Sequence, residues 1–195
     1  MLARTLISLA VLASSGLCQT PVVKAIDGLN AISARLDGLR SVANTIQPIS
    51  CVNYLADDES KRSGPWQDIE YGAGNLTNLL FSQAVRIERL PTITAFYTVD
   101  GARMFDASSS LAFVLERFYN VIASKAEGDD KARCLWLPIF GRRVSHMLGG
   151  LHTGIETYEN AIDLFNPEYK NRTAPIKANT RGVVERTIGR YLIRV

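Results

Sequence analysis

The sequence predicts an all-α protein: an antiparallel bundle of four long amphipathic helices with a short C-terminal helix and one extended or hairpin segment near residues 92–105. Two apolar stripes carry most of this prediction, because each repeats in steps of three and four residues and so occupies one face of a helix. The first stripe consists of Val22, Ala25, Leu29, Ile32, Leu36, Leu39, Ala43 and Ile46. The second consists of Val144, Leu148, Leu151, Ile155, Tyr158, Ile162 and Phe165. Long helices joined by short connections favour an antiparallel bundle.

Residues 1–18 have the pattern of a signal peptide, and residues 19–195 are predicted to form a single helical-bundle domain. Arg4 precedes an apolar run from Leu6 to Ala13, as in a secretory leader. That run is too short to span a bilayer, which takes about 20 residues, and no later segment is apolar enough to do so. We therefore expect the mature protein to be exported, without a transmembrane segment.

The first two helices are each followed closely by a proline, which cannot continue a helix. The first is predicted from about Pro21 to about Gln47, since proline suits the first turn of a helix. Residues 57–65 form a charged loop. The second helix is predicted from about Gln67 to about Arg89.

A β-branched and aromatic stretch at residues 93–99 is followed by the turn dipeptide Asp100-Gly101. We expect an extended or irregular segment laid across the bundle, with a hairpin as the alternative. The third helix is expected to be capped by Asp106 or Ser108. Its predicted buried stripe consists of Leu111, Val114, Leu115, Phe118, Val121 and Ile122.

The fourth helix is predicted from about Arg142 to Phe165, and a short last helix from about Gly182 to Leu192. From about residue 170 onward the chain is rich in lysine and arginine. We expect this basic tail to form a solvated helical face. The alternative, which we favour less, is contact with an anionic polymer or with lipid head groups.

Enzyme motifs are absent: the sequence has no nucleophile elbow, phosphate-binding loop, dinucleotide fingerprint or His-Glu-x-x-His. Its two histidines, His146 and His152, lie six residues apart, which turns them by about 240° around a helix. We therefore expect a protein that is not an enzyme and that has no catalytic residues, metal or cofactor. Without nucleic-acid-binding motifs, nucleic acid is not an expected partner either.

Cys51 and Cys134 form an even pair once Cys18 leaves with the leader. In an oxidising compartment they are candidates for a disulfide, and two unrelated buried thiols are the alternative. Two Asn-x-Thr sequons mark Asn75 and Asn171 as candidate glycosylation sites. Asn75 falls inside a predicted helix, which makes it the poorer acceptor.

Apolar side chains between the helices are the candidate contacts for a lipid or a hydrophobic surface. A cavity lined by such side chains is where an exported helical protein would hold a fatty acid or a sterol, and ordinary core packing is the alternative. Phe113 differs from the others, because it lies off the stripe of the third helix. The candidate residues are Leu80, Phe113, Phe118, Leu148, Ile155 and Tyr158.

Three segments of the chain resemble a fungal secreted family, the hydrophobic surface binding protein A family, which includes cell-wall galactomannoproteins. They are residues 22–32 with the following Leu36 and Leu39, residues 111–118, and residues 148–158. The resemblance implies a secreted helical bundle in the medium or at the cell wall that adsorbs to hydrophobic surfaces or holds lipids. It also implies a secreted hydrolase or a cell-wall component as a partner, and it offers no catalytic residues.

The expected function is therefore non-enzymatic binding of hydrophobic surfaces or lipids, through apolar helix faces or a cavity between helices. The alternative is a secreted protein–protein interaction module or effector that contacts a wall or host protein. In that case the basic tail and Phe113 would provide the contact surface.

Overall fold

Five long helices occupy the residues that the computed structural model describes, namely 21–47, 54, 63–89, 99–127, 138–165 and 167–192. This result confirms the predicted all-α bundle. No helix in these ranges is long and apolar enough to cross a membrane. The helices are α1 (Pro21–Asn44), α2 (Pro65–Glu88), α3 (Val99–Glu127), α4 (Pro138–Phe165) and α5 (Pro167–Tyr191).

Proline is the first residue of α1, α2, α4 and α5. The backbone N–H groups of a first turn have no partner within the helix, so a residue without one fits there at little cost. Gly64, directly before α2, has a φ of 97°, in the left-handed region that glycine adopts readily. The fourth helix therefore begins at Pro138, four residues before the predicted start at about Arg142.

The third helix begins at Val99, and neither Asp106 nor Ser108 caps it. The predicted extended or hairpin segment near 92–105 is therefore wrong for its second half, which is helical. The first half, up to residue 98, lies outside the described residues.

Burial explains the earlier start of α3. Met104 is fully buried and Ala107 nearly so, and both precede Leu111 on the same face of the helix. The turn dipeptide Asp100-Gly101 falls in the first turn of α3. Packing of the extended stripe outweighs a local turn preference, which is only a weak constraint.

The C-terminal helix is long, not short: α5 has 25 residues and contains Pro175. The prediction of a helix from Gly182 misses its first half because the buried face there is polar. That face carries Thr173 and Thr180 where the other helices carry leucine or isoleucine. The basic residues from Lys170 to Arg190 belong to this helix, and most of them are exposed.

The helices form a closed ring in which each packs mainly on two others, in the order α1, α3, α5, α4, α2 and back to α1. Consecutive helices alternate in direction, as the contacts between α4 and α5 show: Lys177 bonds Asp163, and Arg181 bonds Glu156. Neighbours that are not consecutive run parallel. For example, α3 and α5 contact each other first at Glu116 and Asn179 and then, further along both helices, at Ile122 and Tyr191.

The predicted stripes are buried from Ala25 to Ile46 and from Val144 to Phe165, and together they form one continuous apolar core. At the end of the bundle where α2 and α4 begin, the core terminates in a cluster of aromatic rings. The ring centre of Trp66 lies 5.2 Å from that of Phe140 and 6.0 Å from that of Tyr191, and both pairs have edge-to-face geometry. Tyr54 packs against both Trp66 and Phe140, and the guanidinium of Arg143 lies 4.9 Å from the Tyr54 ring centre. This cluster anchors the C-terminal end of α5, because Tyr191 belongs to it.

Candidate functional site

The six predicted contact residues divide into two groups. Leu80, Phe118, Leu148, Ile155 and Tyr158 are all buried in the continuous core. Phe113 points outward and is 59% exposed. The structure thus brings five of the six into the interior, where a ligand would have to separate helices to reach them.

Tyrosine hydroxyls link the helices inside this core. Tyr119 donates a hydrogen bond to the backbone carbonyl of Leu148 at 3.1 Å, and Tyr191 donates one to the carbonyl of Ile122 at 2.7 Å. Burial raises the pKa of the Tyr119 hydroxyl well above its ordinary value, so it stays protonated. These two buried hydroxyls are therefore paired across helices.

The buried face of α5 carries a threonine seam, formed by Thr173, Thr180 and Thr187 at seven-residue spacing. Each hydroxyl donates to a carbonyl one turn earlier in its own helix, at 3.1, 3.1 and 2.8 Å. The seam offers neighbouring helices less apolar surface than leucine would, so α5 is the helix held least by hydrophobic burial. An analysis of apolar residues alone overlooks it, although the seven-residue repeat is visible in the sequence.

A charged groove of about 310 Å³ lies between α4 and α5. Lys177 crosses it to Asp163 at 2.8 Å, and Arg181 crosses it to Glu156. His152 also lies 3.4 Å from Glu156. These ion pairs hold α5 to α4 from the outside of the bundle.

Glu159, on the floor of this groove, is not the ordinary solvent-face residue that its place in the sequence suggests. Burial raises the pKa of its carboxyl to about 7, against the partly opposing effect of the Lys177 ammonium. Burial also lowers the pKa of His152, and this effect outweighs the opposite effect of Glu156. The groove therefore contains a carboxyl whose pKa is about 7, that of Glu159, beside an imidazole whose pKa lies below its ordinary value, that of His152.

A second groove, of about 420 Å³, lies between α3 and α5 and is mainly apolar. Ala112 and Phe113 line it from α3, and Pro175 and Ile176 line it from α5. We call it the Phe113 groove. At one end of it, the Asn179 side-chain amide donates to the Glu116 carboxylate and so joins the two helices.

Exposed apolar side chains also mark the outer face of α2. Tyr71, Phe81 and Val85 are 63%, 40% and 46% exposed. No charged residue occurs anywhere from Tyr71 to Val85. Helical spacing places the three within a strip less than about a quarter-turn wide, so this face is an uncharged, partly apolar surface.

The other predicted sites are only partly described. Cys51 and Cys134 lie outside the described residues, so their pairing stays a prediction. Asn75 and Asn171 are both exposed, on α2 and α5. The threonine of each sequon is held in its helix: Thr77 donates to Ala73 at 2.8 Å, and Thr173 bonds within α5.

Within the described ranges, no cluster of three or more histidine, cysteine, aspartate or glutamate side chains could hold a metal ion. The described surface instead offers two grooves that flank a single helix, α5, one charged and the other apolar. Such a surface can bind an amphiphile or another protein.

Comparison with known proteins yields a match of fold only. No protein-family model matches the chain, and no curated protein matches it in sequence. The crystal structure of AfMP4p, a mannoprotein of Aspergillus fumigatus, in complex with palmitic acid has a similar fold, with a TM-score of 0.67 at 13% identity. The match covers 87% of this chain and 99% of that one. The two proteins therefore share the architecture of the bundle over almost its whole length.

Proposed function

We propose that this chain is a secreted, non-enzymatic protein that binds a long-chain fatty acid between its helices. The observation that carries the proposal is the fold shared with AfMP4p, whose structure is that of a complex with palmitic acid. Membership of the hydrophobic surface binding protein A family, and a place in the medium or at the cell wall, belong to the same proposal.

The described core supports it chemically. Removal of an acyl chain from water yields about 25 cal/mol per Å² of apolar surface, and the side chains between these helices are almost all apolar. Leu29, Leu36 and Leu148 are fully buried within that core. Binding therefore requires that helices separate, and the cost of separation is subtracted from the affinity.

Native mass spectrometry of the delipidated full chain tests the proposal. We expect one palmitic acid to bind to each folded monomer, and intrinsic tyrosine or tryptophan fluorescence to change as it does. Acyl chains of six carbons or fewer should bind far more weakly, because they bury less apolar surface. If palmitic acid does not bind at concentrations below its own aggregation, the proposal is wrong.

The outer face of α2 supports a second candidate function, adsorption to a hydrophobic surface. The supporting observation is the exposed set Tyr71, Phe81 and Val85 on a strip without charge. Depletion of the protein by hydrophobic beads should fall when all three are replaced by serine. Palmitic acid binding should persist in that triple variant, which separates adsorption from uptake into the interior.

Removal of the leader, the disulfide and the glycans are tested on protein secreted by a eukaryotic host. Loss of residues 1–18 and a Cys51–Cys134 bridge would appear in the intact mass and in peptide maps under non-reducing conditions. The exposed positions of Asn75 and Asn171 are compatible with glycans at both sites. Removal of N-glycans with a glycosidase should then lower the mass, and Asn75→Gln and Asn171→Gln assign each glycan.

A further inference from the structure

Both described grooves lie beside the same helix. The charged groove separates α5 from α4, and the Phe113 groove separates α5 from α3. Between the two grooves, the inner face of α5 is the threonine seam, which contributes little apolar surface to the core. The middle of α5 is thus held mainly by polar contacts, from Lys177 to Asp163, from Arg181 to Glu156 and from Asn179 to Glu116, and little by apolar packing.

The two ends of α5 differ from its middle, because each end buries an aromatic side chain. Tyr191 lies in the aromatic cluster at one end, and at the other end Tyr169 is buried, with the Lys177 ammonium 5.8 Å from its ring centre. Pro175, between these ends, has no N–H to donate and interrupts the backbone hydrogen bonds of the helix. The middle of α5 can therefore bend outward while both ends stay packed.

The Phe113 groove combines apolar walls with a cation beside its rim, while its one lining carboxylate, Glu116, accepts a hydrogen bond from Asn179. Its walls are apolar, and Phe113 stands exposed at its rim. The guanidinium of Arg117 lies 5.4 Å from the Phe113 ring centre and forms no ion pair with any described residue. The Ser109 hydroxyl, also in the groove wall, is buried and has no hydrogen-bond partner among the described residues.

We propose that the Phe113 groove is the portal through which a fatty acid is taken up. The acyl chain passes beneath the middle of α5 into the core, and the carboxylate stays at the rim beside Arg117. The inference rests on the proposed function and adds the position of the ligand. Along α3 the groove spans Ser109 to Glu116, about 10 Å at helical rise, so it can hold only part of a long chain. The remainder must lie inside.

A reversible cross-link across the groove tests the portal. Glu116→Cys with Asn179→Cys places two thiols where the native side chains touch, and a short bis-methanethiosulfonate linker would tie α3 to α5. The matched control is Glu70→Cys with Arg143→Cys, which replaces a contact between α2 and α4. The native chain treated with the same reagent accounts for its own cysteines.

We expect linkage of α3 to α5 to slow the uptake of palmitic acid at least about ten-fold, and reductant to restore the rate. Linkage of α2 to α4 should leave uptake unchanged. Equal rates for the linked and the reduced forms of the groove variant would overturn the portal alone. If the native chain and both reduced variants fail to bind palmitic acid, the proposed function is wrong and the portal with it.

Arg117→Gln tests the position of the carboxylate. We expect it to weaken palmitic acid binding about five-fold while the affinity for hexadecanol, which has no charge, is unchanged. Arg86→Gln, on the exposed side of α2, is the control and should alter neither affinity. An equal loss for the acid and the alcohol would contradict a role of Arg117 in holding the carboxylate.

Discussion

Tyr158 of α4 reaches across the bundle to Gly28 of α1 and fills the space beside it. Its hydroxyl donates to the carbonyl of Ala25 at 3.3 Å. A methyl group on Gly28 would lie 2.6 Å from that hydroxyl oxygen, closer than van der Waals contact permits. Glycine at this position is therefore required by the close approach of a neighbouring helix.

Gly28→Ala should destabilise the protein by about 1 to 3 kcal/mol, because Tyr158 must move and its buried hydroxyl loses its partner. Gly38→Ala, at a position with no atom within 4 Å of the added methyl, should instead stabilise by up to about 1 kcal/mol through helix propensity. Chemical denaturation measures both. In a Tyr158→Phe background the cost of Gly28→Ala should shrink, and an unchanged cost would show that another neighbour is responsible.

Glu159 should make the protein less stable as the pH rises. Its folded pKa of about 7 exceeds its ordinary value of 4.5, so between these values the folded state binds the extra proton. The contribution of Glu159 to the free energy of unfolding is therefore most favourable below pH 4.5. It falls by up to about 3 kcal/mol as the pH rises through 7. His152, with a lowered pKa, acts in the opposite direction below about pH 6.5.

Glu159→Gln isolates this effect, since only the difference between native and variant stability curves is compared. The stability of the variant minus that of the native chain should grow with pH across the window from 4.5 to 7. Glu88→Gln, at the exposed end of α2, is the matched control, because it removes a carboxyl that lies outside the groove. Parallel curves for the native chain and Glu159→Gln would contradict the raised pKa.

Thr180→Val should stabilise α5 by about 0.5 to 1 kcal/mol. The hydroxyl of Thr180 is nearly buried and bonds only to the carbonyl of Ile176 in its own helix, so valine keeps the shape and adds apolar surface. Thr153→Val is the control, because Thr153 makes the same local bond to Gly149 but is exposed. Hydrogen exchange of α5 amides should slow in the first variant only, and faster exchange would refute the argument.

Phe140→Ala should cost about 3 to 5 kcal/mol of stability, the usual effect of removing a buried aromatic ring. The ring touches Trp66, Tyr54 and Tyr191, so its loss opens a void at the end of the core. Phe113→Ala, with its ring largely in solvent, should cost less than about 1 kcal/mol. Thermal unfolding distinguishes the two, and a similar cost at both positions would mean that the cluster contributes little.

Apolar periodicity was sufficient to predict the helices that bury leucine and isoleucine. The stripes of α1 and α4 indicate both the element and its buried face, because hydrophobic burial there is the dominant energy. Apolar periodicity predicted too short an α5, because the buried face of its first half carries threonine. It also placed the start of α3 too late, at about Asp106, because the dipeptide Asp100-Gly101 resembles a turn. Local signals are misleading where tertiary packing decides the conformation.

The candidate site was less accessible from sequence. The off-stripe position of Phe113 indicated either a surface contact or a wider buried face, and the structure shows that the side chain is exposed. The Phe113 groove itself requires Pro175 and Ile176 from another helix, and their proximity depends on the order of helices in the ring. Ion pairs such as Lys177–Asp163 depend on the same order, which no single stripe specifies.

The place of α5 in the ring constrains when the fold can be completed. A ribosome produces this helix after the other four, yet it packs between α3 and α4 in the ring. Until residues 167–191 have been synthesised, the flanks of α3 and α4 that α5 covers remain open. The growing chain can therefore form helices and partial contacts early, but it can complete the native ring only after α5 has been synthesised.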